Sequence, residues 1–135
     1  MKAALFAIAA FVVCTSAYGE DDKSSASAAS DYPKKNSSEA AIHRGSIVFR
    51  HYCELCHGAK ADGSGRAAKL YNPKPANLVT SDKNDAYKEM IIRRGGQFMG
   101  RSEFMPPWGN ELTDEQVTDV VAFLRSIRSP KVDVK

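Results

Sequence analysis

Apolar residues fall along this chain in one unbroken block and three periodic stripes. The block is Ala3–Val13, directly behind Lys2. It is short for a membrane span. A positive start, this run and the small residues Ala17 and Gly19 predict a secretory signal over residues 1–19. Residues 20–37 are rich in Ser, Ala, Asp and Lys, include Pro33 and show no apolar period, the composition of a disordered polar tail or tether. The first stripe then begins. Ile42, Gly45, Phe49, Tyr52, Cys53 and Cys56 recur at three- and four-residue steps, which predicts a helix opening near Ser38 with those residues on its buried side. Ser37 or Ser38 can cap it, and Glu39 places negative charge in its first turn. Glycine inside a helix costs about 1 kcal/mol relative to alanine. A close helix crossing at Gly45 would explain its presence.

The second stripe is weaker. Tyr87, Met90 and Ile91 predict the buried face of a helix over 82–94, stopped by Gly95 and Gly96. The third is the clearest: Val117, Val120, Val121, Leu124 and Ile127, with Phe123 on the flank, behind the capping box Thr113-Asp114-Glu115-Gln116 and ahead of Pro130. Between the stripes lie a glycine-bearing loop (58–65), one short helical turn (67–70), an extended segment with Pro73 and Pro75, and a loop over 97–112. The glycine loop follows no strand and lacks a Lys-Ser/Thr pair, so it does not read as a phosphate cradle. Sustained strand alternation is absent, so the fold class is all-α, with the folded domain over 38–130 and a short tail over 131–135.

Composition adds two constraints. A formal net charge of +3 is too small for a dedicated nucleic-acid binder. Of three cysteines, Cys14 lies in the segment expected to be removed, and the other two share one motif. No cysteine then remains for a separate disulfide, so a bound group must act as the staple.

That motif is Cys53-Glu54-Leu55-Cys56-His57, the spacing of a c-type haem attachment site. Two thiols about one helical turn apart can add to the two vinyl groups of one haem. The imidazole of the next residue, His57, can then bind the iron. Zinc sites and thioredoxin-like redox pairs also use C-x-x-C; the immediate histidine favours haem. A zinc site from Cys53, Cys56, His57 and His51 would lack the second ligand pair at zinc-finger spacing. For the other axial position Met105 is preferred to Met99. A thioether is a weak, soft donor that must be held in place, and Pro106 and Pro107 restrict the backbone after Met105. His43 and His51 read as solvent-facing helix residues. Export agrees with the motif, because covalent haem attachment in bacteria takes place outside the cytoplasm.

Residues from about Ser38 to Arg128 resemble a monohaem class I cytochrome c of bacteria. The resemblance rests on Gly45 and Phe49, the motif through Gly58, the segment Pro73–Leu78, Tyr87 with Ile91 and Gly95, Met105-Pro106-Pro107-Trp108, and Phe123-Leu124. It implies a helical fold wrapped around one covalent haem c with its iron, and a crossing of the first and last helices where Gly45 and Phe49 meet Phe123. It also implies that His57 Nδ1–H donates to a backbone carbonyl within Pro73–Pro75. The function it implies is that of a soluble periplasmic one-electron carrier between a reductase or dehydrogenase and a terminal acceptor, not an enzyme. Its partners would be redox proteins with acidic docking surfaces. Nucleic acid and small-molecule substrates would play no part, and membranes would be met only through partner complexes. Lys60, Arg66, Lys69, Lys74, Arg93, Arg94 and Arg101 fall in segments expected to rim the haem edge. Two rivals stand beside this reading: a haem subunit of a larger membrane complex, and a small peroxidase or gas-binding haem protein with an open iron position.

Overall fold

A computed structural model describes residues 35–129. The expected signal, residues 20–34 of the expected tail and residues 130–135 lie outside the described part. Within it the elements are α1 (Ser38–Tyr52), α2 (Glu54–His57), a 3-10 turn (Ala68–Leu70), α3 (Asp85–Phe98) and α4 (Asp114–Ser126). No strand occurs among the described residues, and none of their helices is long and apolar enough to cross a membrane. The all-α expectation holds.

Each long helix starts on a side-chain cap. Ser37 Oγ accepts from Ala40 N, Asn84 Oδ1 from Tyr87 N, and Thr113 Oγ1 from Gln116 N. The Gln116 side chain returns the bond to Thr113 N, completing the box. Such caps satisfy N–H groups that the first helical turn otherwise leaves unpaired.

The core lies where α1 crosses α4. Phe49, Val117, Val120 and Val121 are almost wholly buried there. Burying each is worth about 1.5–3 kcal/mol. The Phe49 and Phe123 rings meet at 5.3 Å between centroids, tilted by 49°. Gly45 sits at the crossing itself. A methyl group on it would overlap the Asp119 carbonyl oxygen and lie 2.5 Å from the Asp119 carbonyl carbon and 2.9 Å from Val120 N. Beside this contact Asp119, 4% exposed, is gripped by Arg44, whose Nε and Nη2 donate to its two carboxylate oxygens at 2.6 and 2.9 Å. That fork is the geometry in which a buried carboxylate is best compensated.

Three expectations need correction. First, α3 (Asp85–Phe98) begins at Asp85 and not near Asp82, and it does not end at the expected glycine stop. Its helical geometry breaks at Gly95 (φ 80°, ψ 167°), and one further turn follows. Second, its buried residues are Lys88, Ile92, Gly95 and Gly96, whereas Met90 is exposed. Third, Val48 is buried on α1, while Tyr52 is 37% exposed. Both helices face α4 on one side and a cavity on another, so one apolar stripe serves two surfaces.

Gly45→Ala tests the crossing. Alanine gains about 1 kcal/mol of helix propensity, yet overpacking of backbone against backbone costs about 1–3 kcal/mol or more. The haem-loaded variant should unfold at lower denaturant than the parent; an equal or higher midpoint would refute the close approach.

Candidate functional site

A cavity of about 430 Å³ opens between α1, α2, the extended segment 71–78, α3 and the loop 101–108. This is within the ~300–1,000 Å³ typical of small-ligand and cofactor sites. Cys53, Cys56, His57 and Met105 all line it, so the five-residue motif and a methionine far along the chain meet at one place. Cys53 closes α1, and α2 is a single turn in which His57 N donates to Cys53 O at 2.8 Å. That turn carries Cys56 and His57 onto the cavity wall.

The ring of His57 is fixed by a hydrogen bond between Nδ1 and the Ala76 carbonyl, 3.0 Å. The acceptor is thus one residue beyond the Pro73–Pro75 stretch expected. A carbonyl can only accept, so Nδ1 carries the proton and Nε2 keeps its lone pair. Burial holds the imidazole below its ordinary pKa, and the Ala76 bond opposes this only in part. The neutral ring is the form that binds a metal.

The thiols argue against one rival chemistry. Burial, aided by the charge of Cys56, pushes the Cys53 thiol up to about 12. A thioredoxin-like nucleophile needs the opposite shift. Among the described residues no cluster of three or more His, Cys, Asp or Glu is arranged to hold a metal ion. His43 and His51 are exposed, and neither lines the cavity.

Met105 is held by the broken end of α3. Gly96 N donates to Met105 O at 2.8 Å, Arg101 N to Gly96 O at 2.8 Å, and Trp108 N to Ile92 O at 2.8 Å. Gly96 permits this closeness, since a methyl on it would overlap the Ser102 carbonyl oxygen and sit 3.1 Å from Met105 Cβ. Met99 caps the end of α3 and is not part of the cavity wall. The ring pairs Tyr52–Trp108 and Tyr71–Phe104, at 5.4 and 5.0 Å, stand in the same wall.

The basic residues expected near the haem edge are placed as follows. Of the seven residues named, only Lys74 and Arg101 line the cavity. Arg93 pairs with Asp114 at 2.6 Å, Arg94 lies over the Phe98 ring, and Arg66 lines a separate groove beside His51. Sequence reasoning missed Lys83 and Lys88, both in the wall. Lys88 stands four residues before Ile92, and this spacing was the signal available. Among the described residues in the wall there are four cations (Lys74, Lys83, Lys88 and Arg101) and no carboxylate. An apolar chamber with a neutral imidazole, two thiols, a thioether and an excess of cations suits haem, which brings an apolar macrocycle, an iron and two carboxylates.

Comparison with known proteins agrees. Residues 40–124, more than half of the chain, match the family model described as cytochrome c oxidase, cbb3-type, subunit III. The chain belongs to this family of cytochromes c. It is also similar to a chain in the structure of the Kuenenia stuttgartiensis reducing HAO-like protein complex Kustc0457/Kustc0458, at 31% identity and a TM-score of 0.53 over 63% of its own length. The match spans 41% of that chain, about two-fifths of its length. The protein therefore has a cytochrome c fold, and its family implies a covalently bound haem c with its iron.

Gly96→Ala should detach the Met105 loop from α3. Overpacking predicts a loss of about 1–3 kcal/mol, with faster hydrogen exchange at the Gly96 and Arg101 amides. Parent-like exchange at both would contradict the clip.

Proposed function

We propose that this chain is a one-electron carrier exported to the periplasm, with a single haem joined to Cys53 and Cys56 through thioether bonds and His57 and Met105 as the axial ligands. One observation carries the reading: His57 and Met105, from distant parts of the chain, line one apolar cavity with both thiols in its wall. When bound, the haem supplies the Fe(II)/Fe(III) couple. The chain's residues do the rest. Ala76 O keeps Nε2 of His57 as the ligating nitrogen. The clipped loop holds Met105 ready, and a thioether in place of a second imidazole raises the reduction potential. Lys74 and Arg101 draw an acidic redox partner toward the cavity, an attraction that weakens with salt. The apolar run behind Lys2 supports export, as does the site of covalent haem attachment in bacteria. With His57 and Met105 both given to the iron, no position would be left for a substrate, which separates this reading from a peroxidase or gas-binding haem.

A second reading has its own support. The matching family is described as an oxidase subunit, and the similar structure is a protein complex in which the matched part is only 41% of one chain. In that reading the protein works as a haem module within a larger redox assembly, with residues 20–37 as the tether.

Mass spectrometry of the chain purified from periplasm should give the mature polypeptide plus one haem. Met105→Ala should abolish the far-red sulfur-to-iron absorption band, and Met99→Ala should leave it intact. The reverse pattern would move the ligand to Met99, and an unmodified mass from cells competent in haem attachment would end the proposal. Migration as a lone small protein after release would favour the carrier; co-migration with membrane subunits would favour the module.

A further inference from the structure

Lys88 stands where the packing of α3 suits an aliphatic residue. It lies four residues before the buried Ile92, is itself 5% exposed, and lines the haem cavity. Its Nζ is sealed from solvent and makes no hydrogen bond. Asp85 Oδ1 is 3.8 Å away, beyond hydrogen-bond reach, and the Asp85 carboxylate is already held by Arg125 at 2.7 Å. A buried ammonium with one shared counter-ion is under-compensated.

The charges facing it come from three directions. On α3 there is Asp85. From α4 and the residues just after it come Arg125 and Arg128. In the cavity wall stand Lys83, paired with Asp82 at 3.4 Å, and Lys74 and Arg101. Guanidinium groups keep their charge over the whole accessible range. Desolvation is the first cause that brings Lys88 below the ordinary lysine pKa; Arg128 and Arg125 push the same way, and Asp85 opposes them.

We propose that Lys88 is a redox-linked proton site, whose amine binds a proton when an electron enters the cavity's haem and releases it when the electron leaves. The proposal rests on the haem reading above. The step balances: one electron from a reduced partner protein and one proton from water convert Fe(III) with neutral amine into Fe(II) with ammonium. The sign follows from Coulomb's law in a poorly screened interior. Oxidation leaves one more positive charge in the cavity, which disfavours the nearby ammonium, so the Lys88 pKa is lower in the ferric protein than in the ferrous one. Below both values, and above both, the potential is flat. Between them it falls as pH rises. The steepest slope is a tenfold change per pH unit, which for a one-electron couple converts to about 59 mV.

The test is potentiometric titration of the haem-loaded protein from about pH 6 to about pH 10, bracketing the lowered lysine range. The parent should show a high acid plateau, a falling segment and a lower alkaline plateau. Lys88→Met, close in volume and uncharged, should be flat across that segment at the alkaline level. Lys88→Arg, permanently charged, should be flat at the acid level. A pH-independent parent would overturn the proposal. So would a slope that survives in Lys88→Met, which would assign the proton to the haem carboxylates, or loss of the far-red band over the same pH window, which would mean ligand exchange. Failure of the haem reading looks different: all three proteins would lack the haem mass.

Discussion

The structure depends on the backbone contact between α1 and α4 at Gly45. Helices that meet through side chains are held about 8–10 Å apart. Here a glycine on α1 rests on the Asp119 carbonyl of α4. The contact fixes rotation as well as distance, because one turn further Phe49 must meet Phe123 and Arg44 must reach both oxygens of Asp119. A helix held at three points cannot roll. Cys53 closes that helix, so its place on the cavity wall is inherited from a crossing whose own residues, apart from Phe49, stand outside the wall.

The opposite wall uses a different device. α3 breaks at Gly95, and the turn beyond it offers backbone groups that would otherwise be used up within the helix. The Met105 loop takes them. A thioether is a weak, soft donor, so as a ligand it would need its loop held by other contacts. The loop must be built beforehand from hydrogen bonds and proline. His57 is treated likewise through Ala76 O. Both proposed ligands are thus oriented by backbone, which side-chain substitutions nearby disturb least.

The legible and illegible parts of the sequence divide along these lines. Cys53-x-x-Cys56-His57, the Thr113–Gln116 box, the α4 stripe and the crossing at Gly45 all depend on residues whose chemistry or size leaves few uses. The Met105-Pro-Pro segment was legible as far as its place, since Met105 stands in the cavity wall. The faces of α3 were not legible. Periodicity yields a stripe but not its phase against two neighbours: Tyr87 and Ile91 turn to the cavity, while Ile92 is shared between the cavity and the core. The same division left Tyr52 half in the wall when the stripe placed it inside. The Ala76 acceptor was missed by one residue, since spacing along an extended segment does not decide which carbonyl faces inward. Lys88 was hidden because a lysine in a helical stripe reads as surface until the geometry shows its ammonium enclosed.

The electrostatics of the site join these observations. The proposed ligands, an imidazole and a thioether, are both neutral, so the charge of the iron is not offset by its own axial bonds. The wall adds cations and no carboxylate among its described residues. Such surroundings stabilise the reduced state, which carries one positive charge fewer, and raise the potential for the same reason that they depress the proton affinity of Lys88. Electron affinity and proton affinity at this site are then two readings of one field. The haem carboxylates would reduce that field, and the acidic partner proposed above would reduce it again. Docking of that proposed partner would therefore lower the potential of the bound haem and favour passing its electron onward, so the proposed attraction would also shift the chemistry within the complex.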